Sequence, residues 1–411
     1  MTRLWQILMV AAMVLFPGFV GAQTATTTEP LEENERAALF PDRNTIEQGR
    51  AIAQATCSRC HGMDGVSTDA QRPHLAGQRA VYLYRVVKSY QDGGRIDDSM
   101  GHAGSFLNDQ GMLSVAAFYS SLPPARLPQG SDDATAPLAL NEDPFGDIRP
   151  AMRKCIKCHE ETGNSTTSGS PNLTAQHPEY FKSSMLAYVD GSRSHKMMRR
   201  LVADLDEATI DEMAVFYAVQ EPQRSEKQGD GNELAGRRLA KDCASCHGDD
   251  GNASAKDTPS LAGQDARYFV KAMQAYLDGE RKHEKMYEAV AGLSPQDIVD
   301  LATFYAAREP IRRDVRKPLT ATEWVARCER CHGLDGNSTD PRFPMLAGQN
   351  PGYLSSALQA YAGEQRENST MHAMADPLRA ADIESLAFYF AAKEPKSVVY
   401  LELPCPDSPP K

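Results

Sequence analysis

An all-α fold of four tandem domains is predicted by three observations on this chain of 411 residues. The pattern Cys-X-X-Cys-His occurs four times, as Cys57-Ser-Arg-Cys60-His61, Cys155-Ile-Lys-Cys158-His159, Cys243-Ala-Ser-Cys246-His247 and Cys328-Glu-Arg-Cys331-His332. One ungapped frame of residues follows every copy. Sustained period-two alternation is absent, and apolar residues recur at helical spacing instead.

The repeated motif is the attachment signature of c-type haem. Two thiols add across the haem vinyl groups, and the adjacent histidine lies against the ring face where it can ligate iron. A zinc knuckle would place a second cysteine pair within about 15–20 residues, whereas the first cysteines here stand at 57, 155, 243 and 328. No strand-helix-strand pattern of a thioredoxin-like pair surrounds them either. Four haem c groups are therefore expected, bound covalently by Cys57, Cys60, Cys155, Cys158, Cys243, Cys246, Cys328 and Cys331, with His61, His159, His247 and His332 on iron.

The frame that follows each histidine is the same in all four copies. A proline stands twelve residues on (Pro73, Pro171, Pro259, Pro344) and a leucine fourteen on (Leu75, Leu173, Leu261, Leu346). Tyrosines follow at twenty-one (Tyr82, Tyr180, Tyr268, Tyr353) and twenty-nine (Tyr90, Tyr188, Tyr276, Tyr361). An arginine stands at thirty-four (Arg95, Arg193, Arg281, Arg366) and a methionine at thirty-nine (Met100, Met198, Met286, Met371). Fixed-period similarity means one structural unit repeated, and units of this length are small domains rather than solenoid turns.

The methionine column bears on the iron chemistry. A thioether opposite histidine raises the potential, as in electron-transfer cytochromes; an ordinary core methionine is the alternative for any single position. Met100, Met198, Met286 and Met371 are the expected sixth ligands. Met197 and Met374 are rivals in their repeats, and Met112 a weaker one. His102, His195, His283 and His372 lie near these methionines but two after, three before, three before and one after, so none holds a fixed place. They read as surface or haem-edge residues, and the unrepeated His74 and His177 as solvated.

Helix signals are clearest in the third repeat. Ser294-Pro295-Gln296-Asp297 supplies an N-cap, proline in the first turn and an acid near the positive helix end. Ile298, Leu301, Ala302 and Tyr305 then recur at helical spacing. Asn108 and Asp206 are the equivalent caps, while Arg379 takes that place in repeat four. The helix through Tyr268 and Tyr276 brings both rings near one face. Domains this small bury little surface unaided, so haem is expected to supply much of each core.

The run Cys-His-Gly, Asp-Gly, Pro-X-Leu-Ala-Gly-Gln, Tyr, Asp-Gly-X-Arg, Met, Leu-Ser, Phe-Tyr-Ala resembles the cytochrome c4 family, and each repeat looks like a small class I cytochrome c. Repeat three carries the pattern most fully, from Cys246-His247-Gly248 through Leu261-Ala262-Gly263-Gln264 to Phe304-Tyr305-Ala306. The resemblance covers about Thr45 to Lys393. It implies four tandem class I cytochrome c domains, each a small helical bundle wrapped around one covalent haem, as though two periplasmic two-haem carriers were joined. It also implies that the proline carbonyl accepts the imidazole N–H; turn rigidity is the other role open to that proline.

The arginines read either as propionate partners or as solvated side chains, and the tyrosines as packing against haem. Repeat two departs from the pattern with Glu160 after its histidine, Leu173-Thr174-Ala175-Gln176, Pro150 just before its attachment helix, and no glycine leading in as Gly49 and Gly236 do in repeats one and three. Repeat four departs with Gly363-Glu364-Gln365.

The expected organisation is a signal peptide over 1–22, a tail over 23–44, and cytochrome domains over 45–126, 148–222, 228–310 and 318–396. An acidic linker spans 127–147, and a proline-rich tail spans 397–411. Arg3, the apolar run Leu4 to Phe16 and Val20-Gly21-Ala22 make the secretory signal, implying the periplasm; an uncleaved anchor is the alternative. Cys405 is left over after haem attachment.

The net charge of −11 becomes −12 without Arg3. That suits steering of a basic redox partner and excludes nucleic acid, which needs clustered cations. Linker lengths favour pairing domain one with two and three with four, although the long linker lies inside the first of those pairs. The expected function is a periplasmic tetrahaem carrier of single electrons between a redox-protein donor and acceptor of a respiratory chain. Membrane-bound respiratory complexes are among the candidate partners, and no small-molecule substrate is expected. The alternatives are a haem enzyme with one open iron, repeat two being the suspect, or a cytochrome subunit of a dehydrogenase or oxidase.

Overall fold

The computed structural model describes residues 30–126, 140, 142–226 and 228–397. The expected signal peptide, most of the acidic linker and Cys405 lie outside the described residues. Among the described residues every regular element is helical, and the only extended pairings are two isolated bridges.

Four clusters of buried side chains, one per motif, organise the helices. In repeat one the helices Arg43–Ile52, Ala80–Gln91 and Asp109–Ser121 enclose Val81, Tyr84, Met112, Phe118 and Tyr119. Repeat three repeats this with Glu233–Leu239, Ala266–Leu277 and Pro295–Ala306 around Phe269, Met273, Leu301 and Tyr305. In both, the first helix crosses the last at a glycine. A Cβ on Gly49 would stand 1.8 Å from the Ser114 carbonyl oxygen, and one on Gly236 2.1 Å from that of Asp300, so any larger residue would push the helices apart.

Repeats two and four lack that glycine and enter differently. Repeat two has only a 3-10 turn, Gly146–Ile148, and one short helix, Arg149–Met152, with Pro150 in its first turn. Repeat four runs unbroken from Ala321 to His332 and buries Trp324.

The sequence-derived caps are present. Asn108 accepts the Gly111 N–H at 2.9 Å, and Asp206 accepts that of Thr209 at 2.7 Å. Ser294 and Asp297 accept each other's backbone N–H at 2.9 and 3.2 Å. Arg379, which cannot accept, instead grips Asp382 through Nε and Nη2 at 2.9 and 3.0 Å. Two segments expected to be connectors carry structure. The tail holds the helix Glu33–Leu39, which sinks Ala38 into the first core. Near the end of the linker, Phe145 packs in the core of repeat two.

The repeats associate as one with four and two with three, correcting the one-two and three-four pairing that linker lengths favoured. Arg95 bridges to Arg366 and Arg193 to Arg281, both antiparallel. The second bridge is reciprocal: Ser194 donates to the Glu280 carbonyl at 2.7 Å, and Lys282 to that of Ser192 at 2.9 Å. Linker length sets only how far a chain can reach, whereas matched faces decide what it docks on. A further contact joins repeat two to repeat four, where Arg379 lies on the Pro144 carbonyl and 3.6 Å from Asp147, and Leu140 packs against the fourth core.

The departures of repeats two and four have a common backbone basis. Glu160, Ala175 and Glu364 have φ of 59°, 61° and 57°, where the matching positions of the other repeats are glycines, also at positive φ. A left-handed conformation costs a residue with a Cβ about 1–2 kcal/mol. Glu160→Gly and Glu364→Gly are each expected to stabilise the protein by about 1 kcal/mol, read as a higher melting temperature in calorimetry of the haem-loaded chain.

Candidate haem-binding sites and their pairing

Each motif histidine is buried, with Nδ1 facing the carbonyl of the proline twelve residues on. The distances are 3.1 Å for His61 and Pro73, 3.0 Å for His159 and Pro171, 2.9 Å for His247 and Pro259, and 3.0 Å for His332 and Pro344. A carbonyl can only accept, so Nδ1 carries the proton and Nε2 of the neutral ring keeps its lone pair for a metal. Burial lowers the pKa of all four imidazoles, against the opposing pull of the proline carbonyl. Neutral imidazole is the form that ligates. The family-implied role of the proline carbonyl is thus present in the geometry beside any stiffening of the turn.

The eight motif cysteines are free thiols. Cys57, Cys155, Cys243 and Cys328 pack against the core of their own repeat. Burial pushes Cys57 and Cys328 up to about 11. Thioether formation needs such uncrosslinked thiols, and the arrangement supplies them against the core of each repeat.

The four methionines share a setting that sequence spacing did not reveal. Each is the third residue of a short helix, Asp98–Ser105, Lys196–Val202, Glu284–Val290 or Ser369–Ala375. The residue three before it caps that helix. Asp97 accepts the Met100 N–H at 2.8 Å, His195 that of Met198 at 3.2 Å, His283 that of Met286 at 3.3 Å, and Asn368 that of Met371 at 2.8 Å. His195 and His283 are therefore helix caps, with Nδ1 already occupied. His102 is exposed, edge-on to Phe106. His372 Nδ1 faces the Tyr361 carbonyl at 2.9 Å.

Among the rival methionines, Met197 is 51% exposed, and its sulfur accepts from Arg200 at 3.6 Å. Met198 packs on its core. Met112 is buried inside the first core, and Met374 packs against the fourth.

The arginine column is not solvated. Arg95 is only 9% exposed, and each arginine lies over the two tyrosines of its own repeat. Arg95 stands 5.8 and 6.0 Å from the ring centres of Tyr82 and Tyr90, and Arg366 5.4 and 5.5 Å from Tyr353 and Tyr361. Arg193 over Tyr180 and Tyr188, and Arg281 over Tyr268 and Tyr276, repeat the arrangement. Arg95 also donates across the interface to the Tyr361 hydroxyl at 3.1 Å. The tyrosines thus flank arginine at the pair interface.

Burial raises the Tyr180 hydroxyl pKa, but the guanidiniums of Arg193 and Arg281 outweigh it and bring the group to about 8. Among the described residues no carboxylate pairs with any of these four arginines, and Arg95 Nη1 is buried without a partner. Paired buried cations lacking an anion fit haem propionates.

A second column, unrecognised from sequence, clamps the pairs. Gln78 accepts the Met345 N–H at 2.7 Å and donates to its carbonyl at 2.9 Å. Gln349 does the same to His74 at 2.7 and 3.0 Å. In the other pair Gln264 holds Asn172 at 2.7 and 3.1 Å, and Gln176 holds Ser260 at 2.9 Å in both bonds. His74, read from sequence as solvated, is half-buried in this clamp, and His177 Nε2 faces the Ala253 carbonyl at 3.3 Å. The available signal was Gln176, retained in a repeat that had changed the Ala-Gly before it.

The family model "Cytochrome c" matches residues 234–306, and the model "Cytochrome C oxidase, cbb3-type, subunit III" matches 44–118. Cytochrome c4 of Pseudomonas aeruginosa is 31% identical over 175 residues, covering 39% of this chain and 87% of that protein. The chain belongs to the cytochrome c4 family. A "Thiosulfate dehydrogenase electron acceptor" of Thiomonas intermedia is 27% identical over 38% of this chain and 79% of its own length. A cytochrome c4 structure from Acidithiobacillus ferrooxidans aligns at 26% identity and a TM-score of 0.36 over 38% of this chain and 99% of its own. As a cytochrome c4 relative, this chain binds haem c covalently and is a multihaem electron-transfer cytochrome that works with redox proteins.

A double-mutant cycle tests the pairing. Arg95→Gln and Tyr361→Phe are expected to show a coupling of about 1 kcal/mol in chemical denaturation. Arg95→Gln with Tyr188→Phe should be additive within about 0.5 kcal/mol.

Proposed function

We propose that this chain is a periplasmic tetrahaem cytochrome that takes single electrons from one redox protein and passes them to another in a respiratory chain. The observation that carries the reading is the fourfold repetition of one site. Each has two free thiols, a neutral histidine tied to a proline carbonyl, and a methionine at one position of a capped helix. Haem, when bound, supplies an iron couple that gains and loses one electron at a potential set by its axial ligands.

The protein's part is to hold and tune. Cys57, Cys60 and their six counterparts would anchor the ring, His61, His159, His247 and His332 would take one axial position, and Met100, Met198, Met286 and Met371 the other. Arg95, Arg193, Arg281 and Arg366 would neutralise propionates inside each pair interface. Domains one, two, three and four would each hold one group, within the ranges expected from sequence. Were the histidine and methionine of each repeat both to bind iron, no place for a small-molecule substrate would be left on it.

Among the described residues no helix is long and apolar enough to cross a membrane, and the signal peptide expected over 1–22 would direct export. A second reading, a cytochrome subunit docked to a dehydrogenase, is supported by likeness to the thiosulfate dehydrogenase electron acceptor. It makes an oxidising enzyme of that kind the candidate donor.

The test is a haem count with absorption spectra of the reduced protein under carbon monoxide. Four haems per chain and no spectral change are expected; a change would mean an open iron and favour an enzyme. Met198→Ala should make one haem in four sensitive to carbon monoxide. Met197→Ala should make none.

A further inference from the structure

We infer that the interface glutamines are positioning residues that tune, each in the partner domain, the potential set by the axial histidine. The peptide group between Pro171 and Asn172 carries the argument. Its C=O accepts from His159 Nδ1 at 3.0 Å, and its N–H donates to Gln264 Oε1 at 2.7 Å. Imidazole, peptide and carboxamide therefore form one hydrogen-bonded chain that starts in domain two and ends in domain three. The same chain runs from His61 through the Pro73–His74 peptide to Gln349, and the other two histidines reach Gln176 and Gln78 likewise.

Hydrogen bonds in series polarise one another. An N–H that donates leaves its own carbonyl a better acceptor, which draws the Nδ1 proton and makes the ring a more basic ligand. A more basic ligand favours the oxidised iron, so the clamp lowers the potential. Burial of both ends keeps water from substituting for the carboxamide: Gln264 and Asn172 are each 7% exposed. The second bond of each glutamine, from Nε2 to the next carbonyl, holds the carboxamide in register.

The inference rests on the reading of His159 as an axial ligand, and the experiment separates the two. Gln264→Ala in the full haem-loaded chain is titrated electrochemically, with each haem assigned by its paramagnetically shifted methyl resonances. The expected result is an upward shift of the haem held by His159, in the domain that was not mutated, with the haem held by His247 shifting less.

Four intact haems with unchanged potentials would overturn the inference and leave the electron-carrier reading standing. A shift confined to the mutated domain, or equal in both, would also overturn it. A haem at His159 lacking imidazole ligation would remove the underlying reading instead. Gln264→Glu keeps an acceptor for the Asn172 N–H and should shift the same haem downward, whereas mere loosening of the interface would move both variants in one direction. Should the alanine variant lose haem, Gln349→Ala gives the same reading at the haem held by His61.

Discussion

The peptide group after each frame proline bears two obligations at once. Its carbonyl fixes the orientation and tautomer of the motif histidine, and its N–H is the docking point for the partner domain's glutamine. Ligand geometry and domain pairing therefore depend on the same rigid planar unit. Proline at its amino side limits the backbone freedom that would let one obligation be met without the other.

From this constraint follows the nested order of the domains. Two reciprocal clamps and one arginine bridge define a pair, and the faces that satisfy them belong to repeats one and four and to repeats two and three. The connecting segments are fitted to that order. Arg313, from the stretch between repeats three and four, donates to the carbonyls of Ala175 and Ala253 at 2.8 and 2.6 Å and so straps the inner pair. The end of the acidic linker is shared between the second and fourth cores through Leu140, Phe145 and Arg379. Domains two and three, adjacent in the chain, form the inner pair, whereas three and four, also adjacent, belong to different pairs, and the outer pair joins the first domain to the last.

Repeats two and four show what the common frame tolerates. Glu160 and Ala175 in the loop around the histidine, and Glu364 in the turn before the frame arginine, keep the positive φ that glycine adopts elsewhere, so the backbone path is preserved at a conformational cost. The entry helices vary more freely, from the glycine-notched crossings of repeats one and three to the uninterrupted Ala321–His332. The variation lies in how each entry helix begins, while the histidine, proline and glutamine contacts are kept in all four repeats.

Sequence alone determined the helical class, the four covalent attachment motifs, the histidine–proline and methionine columns and the caps at Asn108, Asp206 and Ser294. These are local: a motif of five residues, a fixed offset, or a cap and its third N–H lie within one turn or loop and leave their mark on spacing. Only the tertiary structure decided which domains pair, that Arg95 and its counterparts are buried among tyrosines, and that His195 and His283 cap helices. It also decided that the glutamines bind across an interface. Partners such as Gln78 and Met345 lie 267 residues apart, and no local periodicity records a contact made by shape and hydrogen-bond complementarity between distant faces. The glutamine column was visible as identity, but its meaning depended on what faced it.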